Sequence, residues 1–368
     1  MSDDPIETSG RSYIYALSGN RSHLDLIEKA LLSFYRVRKF SDASELVDVL
    51  QSRMPTAILI DDDLKSGTGL DLIGTLRLSY AGDQLPIVFT LQTGRSQDIA
   101  NHYSGVKVLE KPYKRTSLLH AISCQSNSSV EAKWDQIEPV QKAALKNTIN
   151  AFNNVADLIS EGKPIEYKDV TASCAPLLEA VKNNNYQDML KGVRGHDNYS
   201  YVHSMRVATL LSLFGAAIGI KGDDHVTLTS GGLLHDVGKM NIPHEVLNKA
   251  GRLDENEFCV MKSHVTQTLD FFELSDSLPK GVAVIAGQHH EKIDGTGYPN
   301  GVAGKELNQL ARMAAIIDVF SALTDRRVYK PSMEPEKALS IMGDMSGHLD
   351  QSLMMVFREV LLDSVVEA

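Results

Sequence analysis

The sequence predicts two domains in series, an α/β domain on a five-stranded parallel sheet and then an all-α domain. Three observations carry this reading. From residue 13 to about residue 123, short apolar runs alternate with amphipathic stretches, the rhythm of a parallel α/β unit. After Pro164 the strand signals stop, and helical periodicity is nearly continuous to the end of the chain. Finally, 368 residues at 43% hydrophobic content are more than a single core ordinarily uses.

In order, the expected strands are Tyr13 to Leu17, Tyr35 to Lys39, Ala57 to Asp61, Pro86 to Thr90 and Lys107 to Leu109. Between them, apolar residues at helical spacing predict helices over His23 to Leu32, Ala43 to Leu50, Leu70 to Leu78 and Ser96 to His102. Five strands with intervening helices in so short a span fit a flavodoxin-like fold. The run SCQSNSSV, from Ser123 to Val130, has the polar composition of a linker. Leu145, Ile149, Phe152, Val155 and Ile159 then recur every three or four residues, the mark of one helical face, and Gly162 and Pro164 supply a stop. Such a connector could carry motion between domains, pair with its copy in a homodimer, or pack on the second domain.

Helices are expected next over Tyr167 to Lys182, Tyr186 to Lys191, Asn198 to Ile218, Asp224 to His235, Asp254 to Leu274, Leu278 to His289, Leu307 to Leu323, Pro335 to Met342 and Asp350 to Val365. Asp254 with Glu257 three residues later is a capping-box signature.

Composition excludes several classes. Forty-seven acidic against 37 basic residues give a formal charge of −10, which argues against a binder of nucleic-acid polymers acting through broad positive surface. Cys124, Cys174 and Cys259 are odd in number and scattered, so neither a disulfide framework nor a thiolate metal site is expected. The first 12 residues read as a mobile polar tail, not a signal peptide, and no apolar run reaches a membrane span. A soluble, cytoplasmic protein is the expectation.

Parallel sheets place their crevice at the carboxyl ends of the strands, where Asp61 and Lys111 would meet. That pairing resembles a response-regulator receiver, as in two-component signalling. The resemblance implies that Asp61 is the phospho-acceptor and that Lys111 contacts the phosphoryl group. The chain departs from the family after its first strand, where Leu17-Ser18-Gly19-Asn20 offers no carboxylate and Mg²⁺ would lose oxygen ligands. A degenerate receiver kept for docking or dimerisation is the alternative. Thr90 and Leu91 compete for the hydroxyl position after the fourth strand.

The strongest signal lies between His203 and Lys330. Asp318 interrupts Ala-Ala-Ile-Ile-Asp-Val-Phe, and His235-Asp236 closes an apolar helix; burying an unpaired carboxylate there would cost several kcal/mol. His203, His235, Asp236, His264, His289, His290 and Asp318 together give five imidazoles and two carboxylates, more than one tetrahedral ion uses. Two divalent ions are the natural count. Donors without thiolate suit Fe, Mn, Ni, Co or Zn.

The ordered motifs Asp197-x-Tyr199-x-x-x-His203-Ser204, His235-Asp236-x-Gly238-Lys239, Met261-Lys-Ser-His264, His289-His290-Glu291-x-x-Asp294-Gly-x-Gly-Tyr298-Pro299 and Asp318-x-x-x-Ala322-Leu323-Thr324 resemble the HD-GYP domain of the HD phosphohydrolase superfamily. The resemblance implies a metal-dependent phosphodiesterase that opens cyclic di-GMP to linear pGpG, or onward to GMP, in bacterial second-messenger signalling. Cyclic GMP-AMP hydrolysis and a low-turnover cyclic-dinucleotide sensor or scaffold are the alternatives. It implies one ion on His203, His235, Asp236 and Asp318, and another on Asp236, His264, His289 and His290, with Asp236 as the shared ligand. Tyr199 stands where some members carry a glutamate for a third ion. Lys239 would contact a phosphate oxygen, Arg327 and Lys330 further phosphate oxygens, with Arg326 a competing assignment. Tyr298 would stack on guanine, bond a phosphate or fix the loop shape. The resemblance also implies docking of a diguanylate cyclase at the Gly-Tyr-Pro loop. The domains are then 1–12 tail, 13–123 receiver-like domain, 124–165 linker and connector helix, and 166–368 HD-GYP domain.

Overall fold

A computed structural model describes residues 13–366 apart from residues 33, 80–84, 93–104, 194–195, 197, 250 and 326–332. The expected tail, the helix over 96–102, Asp197 of the first motif, and Arg326, Arg327 and Lys330 lie outside the described residues. The rest forms two compact units, the first running to Ser129 and including Pro243–Asn248, the second formed by Val130–Ile242 and the chain from Lys249 onward.

In the first unit, strands β1 (Tyr13–Leu17), β2 (Arg36–Phe40), β3 (Ala57–Asp61), β4 (Ile87–Gln92) and β5 (Val106–Lys111) build a wholly parallel sheet of order β2-β1-β3-β4-β5. Every residue of β3 is buried, as expected for a strand covered on both faces. Successive side chains alternate between two cores. Tyr15, Leu17, Ile58, Ile60 and Phe89 meet α2 (Ala43–Ser52) and α3 (Gly69–Ser79), while Ile14, Ala16, Leu59 and Val88 meet α1 (Arg21–Leu31) and α4 (Arg115–Glu131).

Helix α4 corrects the reading of SCQSNSSV as a linker, because that run lies inside the helix. Leu118, Leu119, Ala121 and Ile122 bury the start of α4 on the sheet. Its polar half then uses its own side chains, Ser126 Oγ donating to Ser123 O and Ser128 Oγ to Gln125 O at 3.2 Å each, and Asn127 Nδ2 donating to Ser123 Oγ at 3.2 Å. Tertiary burial overrides weak propensity here.

The second unit comprises α5 (Pro139–Glu161), α6 (Tyr167–Lys182), α7 (Tyr186–Gly192), α8 (Tyr199–Ala217), α9 (Gly222–Leu234), α10 (Glu255–Glu273), α11 (Lys280–Gln288), α12 (Gln309–Thr324), α13 (Pro335–Gly343) and α14 (Gln351–Val366). Of the three roles open to the connector stripe, the structure displays packing within the chain. Leu145, Ile149, Phe152, Val155 and Ile159 are all buried in a single copy, so this stripe is not free for a partner helix. The capping box forms, with Glu257 N donating to Asp254 Oδ1 at 2.9 Å and Asp254 N to Glu257 Oε2 at 2.8 Å. Val207, Leu211 and Phe214 of α8 join Leu228, Ile285, Met313, Ile317 and Phe357 in a shared core. That core brings α8, α9, α11 and α12 side by side, and their polar residues of interest fall together along it.

Candidate metal centre

Each of the seven candidate ligands is delivered by a helix or helix end. His203 lies in the first turns of α8, and His235 with Asp236 ends α9. His264 is in the middle of α10, His289 and His290 end α11, and Asp318 lies in α12. Glycine permits the close approach. A Cβ on Gly232 would lie 2.9 Å from Ala208 Cα, and one on Gly238 only 2.1 Å from His264 O. Gly238 N also donates to Thr268 Oγ1 at 2.9 Å, and that hydroxyl donates to His264 O at 2.8 Å. The His-Asp turn is thereby pinned onto the helix that carries His264.

The side chains converge as two overlapping sets, His203, His235, Asp236 and Asp318, and Asp236, His264, His289 and His290. Within each set the ligand atoms lie within 4.8 Å of one another. Asp236 is common to both. Its Oδ2 lies 3.2 Å from His235 Nε2 and 3.5 Å from His203 Nε2, and its Oδ1 lies 3.2 Å from His264 Nε2 and 3.6 Å from His289 Nε2. Asp318 Oδ1 lies 2.9 Å from His203 Nε2, and its Oδ2 4.0 Å from His290 Nδ1.

Do these groups fit a cation? His235, His264 and His289 each turn Nδ1 to the carbonyl three residues earlier, on Gly232 at 2.8 Å, Met261 at 2.6 Å and Ala286 at 2.8 Å. A proton held there leaves Nε2 as a bare lone pair. Those three Nε2 atoms, together with His203 Nε2 and Asp236 Oδ1, are buried without a hydrogen-bond partner among the described residues. They approach one another closely but are not aligned to bond each other. Buried polar atoms are normally paired, and lone pairs converging on shared points require a positive charge. The electrostatics agree. Burial opposes ionisation of Asp236 and Asp318, yet the surrounding imidazoles, joined by Lys239 at Asp236, hold both carboxyls well below the usual range. Burial also disfavours charge on His235, but Asp236 and Asp318 raise it to about 9, so its Nε2 draws a positive charge at neutral pH, from a proton or from a metal ion that displaces it. His289 and His290 are lowered chiefly by burial. The donor set fits divalent metal ions.

Lys239 reaches the centre and is ion-paired to Asp236 Oδ2. Tyr298 does so from the glycine-rich loop. Its ring lies 4.7 Å from that of His290 at 31°, with Phe258 edge-on at 6.1 Å. Burial, and then the charges of Asp236 and Asp318, raise the Tyr298 phenol, which keeps it a neutral donor. Glu291 organises this loop. Fully buried, it accepts from Asn300 N at 2.7 Å through Oε1 and from Val302 N at 3.1 Å through Oε2. Tyr199 stacks on His203 at 6.1 Å and 18°. Sequence reasoning missed Arg206 and Asp325. Arg206 Nε lies 2.5 Å from Asp325 Oδ1, and Asp325 Oδ2 lies 3.6 Å from His203 Nδ1. The signals were present, since Arg206 is three residues beyond His203 and Asp325 seven beyond Asp318, both same-face helical spacings.

In the first unit, Asp61 sits at the carboxyl end of β3 and is fully buried. Lys111 Nζ lies 2.5 Å from its Oδ1, and Thr90 Oγ1 donates to the same oxygen at 3.2 Å, so Thr90 and not Leu91 supplies the hydroxyl. Ser18 Oγ donates to Oδ2 at 2.7 Å, and His23 Nδ1 lies 2.8 Å from it. His23 went unmentioned in the sequence reading; its Nε2 lies 2.5 Å from Tyr113 Oη. Burial opposes the charge on Asp61, but His23, Lys111 and Ser18 together hold its carboxyl well below the usual range.

Comparison with known proteins places these features. Residues 187–353 match the HD domain family. The 3'3'-cGAMP-specific phosphodiesterase 3 of Vibrio cholerae is 40% identical over 147 residues, which cover 40% of this chain and 32% of that protein. Cyclic di-GMP phosphodiesterase PA4108 of Pseudomonas aeruginosa is 35% identical over 163 residues, covering 44% and 39%. The cyclic di-GMP phosphodiesterase response regulator RpfG of Xanthomonas campestris is 29% identical over 242 residues, covering 58% and 61%. The chain thus spans less than two thirds of the length of each. Among the described residues no helix is long and apolar enough to cross a membrane.

Proposed function

We propose that this chain joins a receiver-type domain to an HD domain of the HD-GYP kind, and that the second unit is a metal-dependent phosphodiesterase that opens cyclic di-GMP to linear pGpG. The observation that carries this reading is the pair of four-residue ligand sets sharing Asp236. A module that only binds a dinucleotide has no need of a carboxylate held between two imidazole clusters.

His203, His235, Asp236 and Asp318 would hold one ion, and Asp236, His264, His289 and His290 the other. Imidazole and carboxylate donors without thiolate suit Fe, Mn, Ni, Co or Zn. When bound, such ions supply Lewis acidity toward phosphoryl oxygens and a water activated at neutral pH. The protein's own groups do the rest. Lys239, already beside the shared carboxylate, offers a fixed cation to a non-bridging phosphate oxygen as charge develops. Tyr298, a neutral phenol facing both carboxylates, can donate to the same phosphate. Glu291 holds the loop that presents it. Arg327 and Lys330 are proposed as further phosphate contacts from their spacing after Asp318.

Cyclic GMP-AMP is a second reading, favoured by the 40% identity to a relative named for that substrate. The deciding experiment incubates the metal-loaded chain with each cyclic dinucleotide and follows products chromatographically. Conversion of cyclic di-GMP to pGpG is expected. Preference for the mixed dinucleotide would transfer the assignment to it, and inertness toward both with metal bound would refute the enzyme reading.

In the first unit, Asp61 is proposed as an internal anchor at the carboxyl end of the central strand and not a phospho-acceptor. Ser18, His23, Thr90 and Lys111 already engage both of its oxygens, and no carboxylate follows β1 to help bind Mg²⁺.

A further inference from the structure

Four histidines point Nε2 into the centre, and three of them hold Nδ1 on a backbone carbonyl of their own helix. His203 is different. Its Nδ1 has no hydrogen-bond partner among the described residues, and neither does the atom facing it 3.6 Å away, Asp325 Oδ2. Both side chains are buried, His203 at 3% and Asp325 at 6% exposure. Two orphaned atoms of complementary kind, one a donor and one an acceptor, stand opposite each other. A closure of about 0.7 Å would bring them to ordinary hydrogen-bond distance.

Asp325 is itself held in place. Its other oxygen lies 2.5 Å from Arg206 Nε, and Arg206 Nη2 donates to Thr324 Oγ1 at 3.0 Å, whose hydroxyl donates to Phe320 O at 2.8 Å. Arg206 therefore ties α8, which carries His203, to the end of α12, which carries Asp318. With that closure, a buried carboxylate between one guanidinium and one imidazole would have a partner for each oxygen, the arrangement a buried charge requires.

We propose that Asp325, anchored by Arg206, is a positioning residue that fixes the orientation and tautomer of His203 and so selectively strengthens one of the two ion sites. This rests on the metal-centre reading above. A carboxylate accepting Nδ1–H makes the imidazole a stronger donor than a carbonyl does. The His203 site thus has two carboxylate ligands and a third carboxylate behind its histidine. The His264 site has one carboxylate and three imidazoles, two of them backed only by carbonyls among the contacts seen. The two sites should differ in affinity, and only the first should depend on Asp325.

The test is a titration of the metal-free full chain with Co²⁺ or Mn²⁺, by calorimetry and by metal content after gel filtration, for the native protein, Asp325→Asn, Asp325→Glu and Arg206→Met. Two phases are expected for the native chain. Asp325→Asn should weaken the tighter phase about 10- to 100-fold and leave the other unchanged, so that one ion instead of two survives gel filtration. Asp325→Glu should restore part of the loss, and Arg206→Met should weaken the same phase. Unchanged binding of both ions by Asp325→Asn would overturn the proposal, as would equal weakening of both phases with a lowered melting temperature of the metal-free variant. A native chain that binds no ion would instead sink the metal centre itself, and this inference with it.

Discussion

Replacing Glu291 tests whether the glycine-rich loop is held from within. Its two carboxylate oxygens accept from Asn300 N and Val302 N at 2.7 and 3.1 Å in a fully buried position. Hydrogen bonds to a charged group contribute about 1.5–3 kcal/mol each. Glu291→Ala removes both acceptors, so the undiscounted cost is about 3–6 kcal/mol. Asn300 is exposed and Val302 half-buried, so water can reach part of the freed backbone, and the lower end, about 3 kcal/mol, is expected. Glu291→Gln keeps one acceptor but turns a donor toward a donor, and should cost about 2 kcal/mol. The chain's single tryptophan, Trp134, is buried in the second unit, with Nε1 donating to Gly192 O at 2.8 Å. Its fluorescence in a urea titration therefore reports unfolding of this unit alone. Amide exchange across residues 298–302 distinguishes global loss from local opening. A stability loss under about 0.5 kcal/mol with unchanged exchange would refute the clamp. Because Tyr298 N donates to His290 O at 3.1 Å, hydrolysis should fall together with loop protection.

Three further outcomes are expected. Asp236→Ala should abolish hydrolysis and lower bound metal by more than one ion per chain, measured by elemental analysis; retention of both ions would refute the shared role. Asp61 has a depressed folded-state pKa, so its charged contacts stabilise the first unit above the unfolded carboxyl pKa of about 3.9 and are lost as pH falls below it. Asp61→Asn should hence melt earlier than the native chain at pH 7, the gap narrowing below about pH 4, and acetyl phosphate should leave the native intact mass without an adduct. Burial pushes the Cys174 thiol up to about 12 while Cys259 is exposed, so alkylation of the native chain should mark Cys259 first and Cys174 only after unfolding; early labelling of Cys174 would contradict its packing.

The strands and nearly all helices were legible because burial on one or two faces imposes a period on the sequence. The candidate ligands stood out for the opposite reason, since Asp318 and His235 break that period. What escaped had no pattern to break. Ser18 and His23 are ordinary polar residues at a strand end and a helix start, and only the fold brings them to Asp61. Asp325 and Arg206 lie near ligands in sequence, but their pairing joins two helices. The SCQSNSSV run misled because composition reports propensity, while its helix is stabilised by neighbours more than a hundred residues earlier, such as Ile14 and Ala16.

The contact at Gly238 has a geometric consequence. With no side chain there, the turn bearing His235 and Asp236 rests directly on the backbone of the helix bearing His264. One hydrogen atom thus acts as the spacer between the halves of the centre. Adding a methyl group, as in Gly238→Ala, would push the turn outward and lengthen every distance from Asp236 to His264 and His289 while leaving all seven ligands in the chain. The spacing of the two ligand sets is in this sense encoded by a residue that belongs to neither.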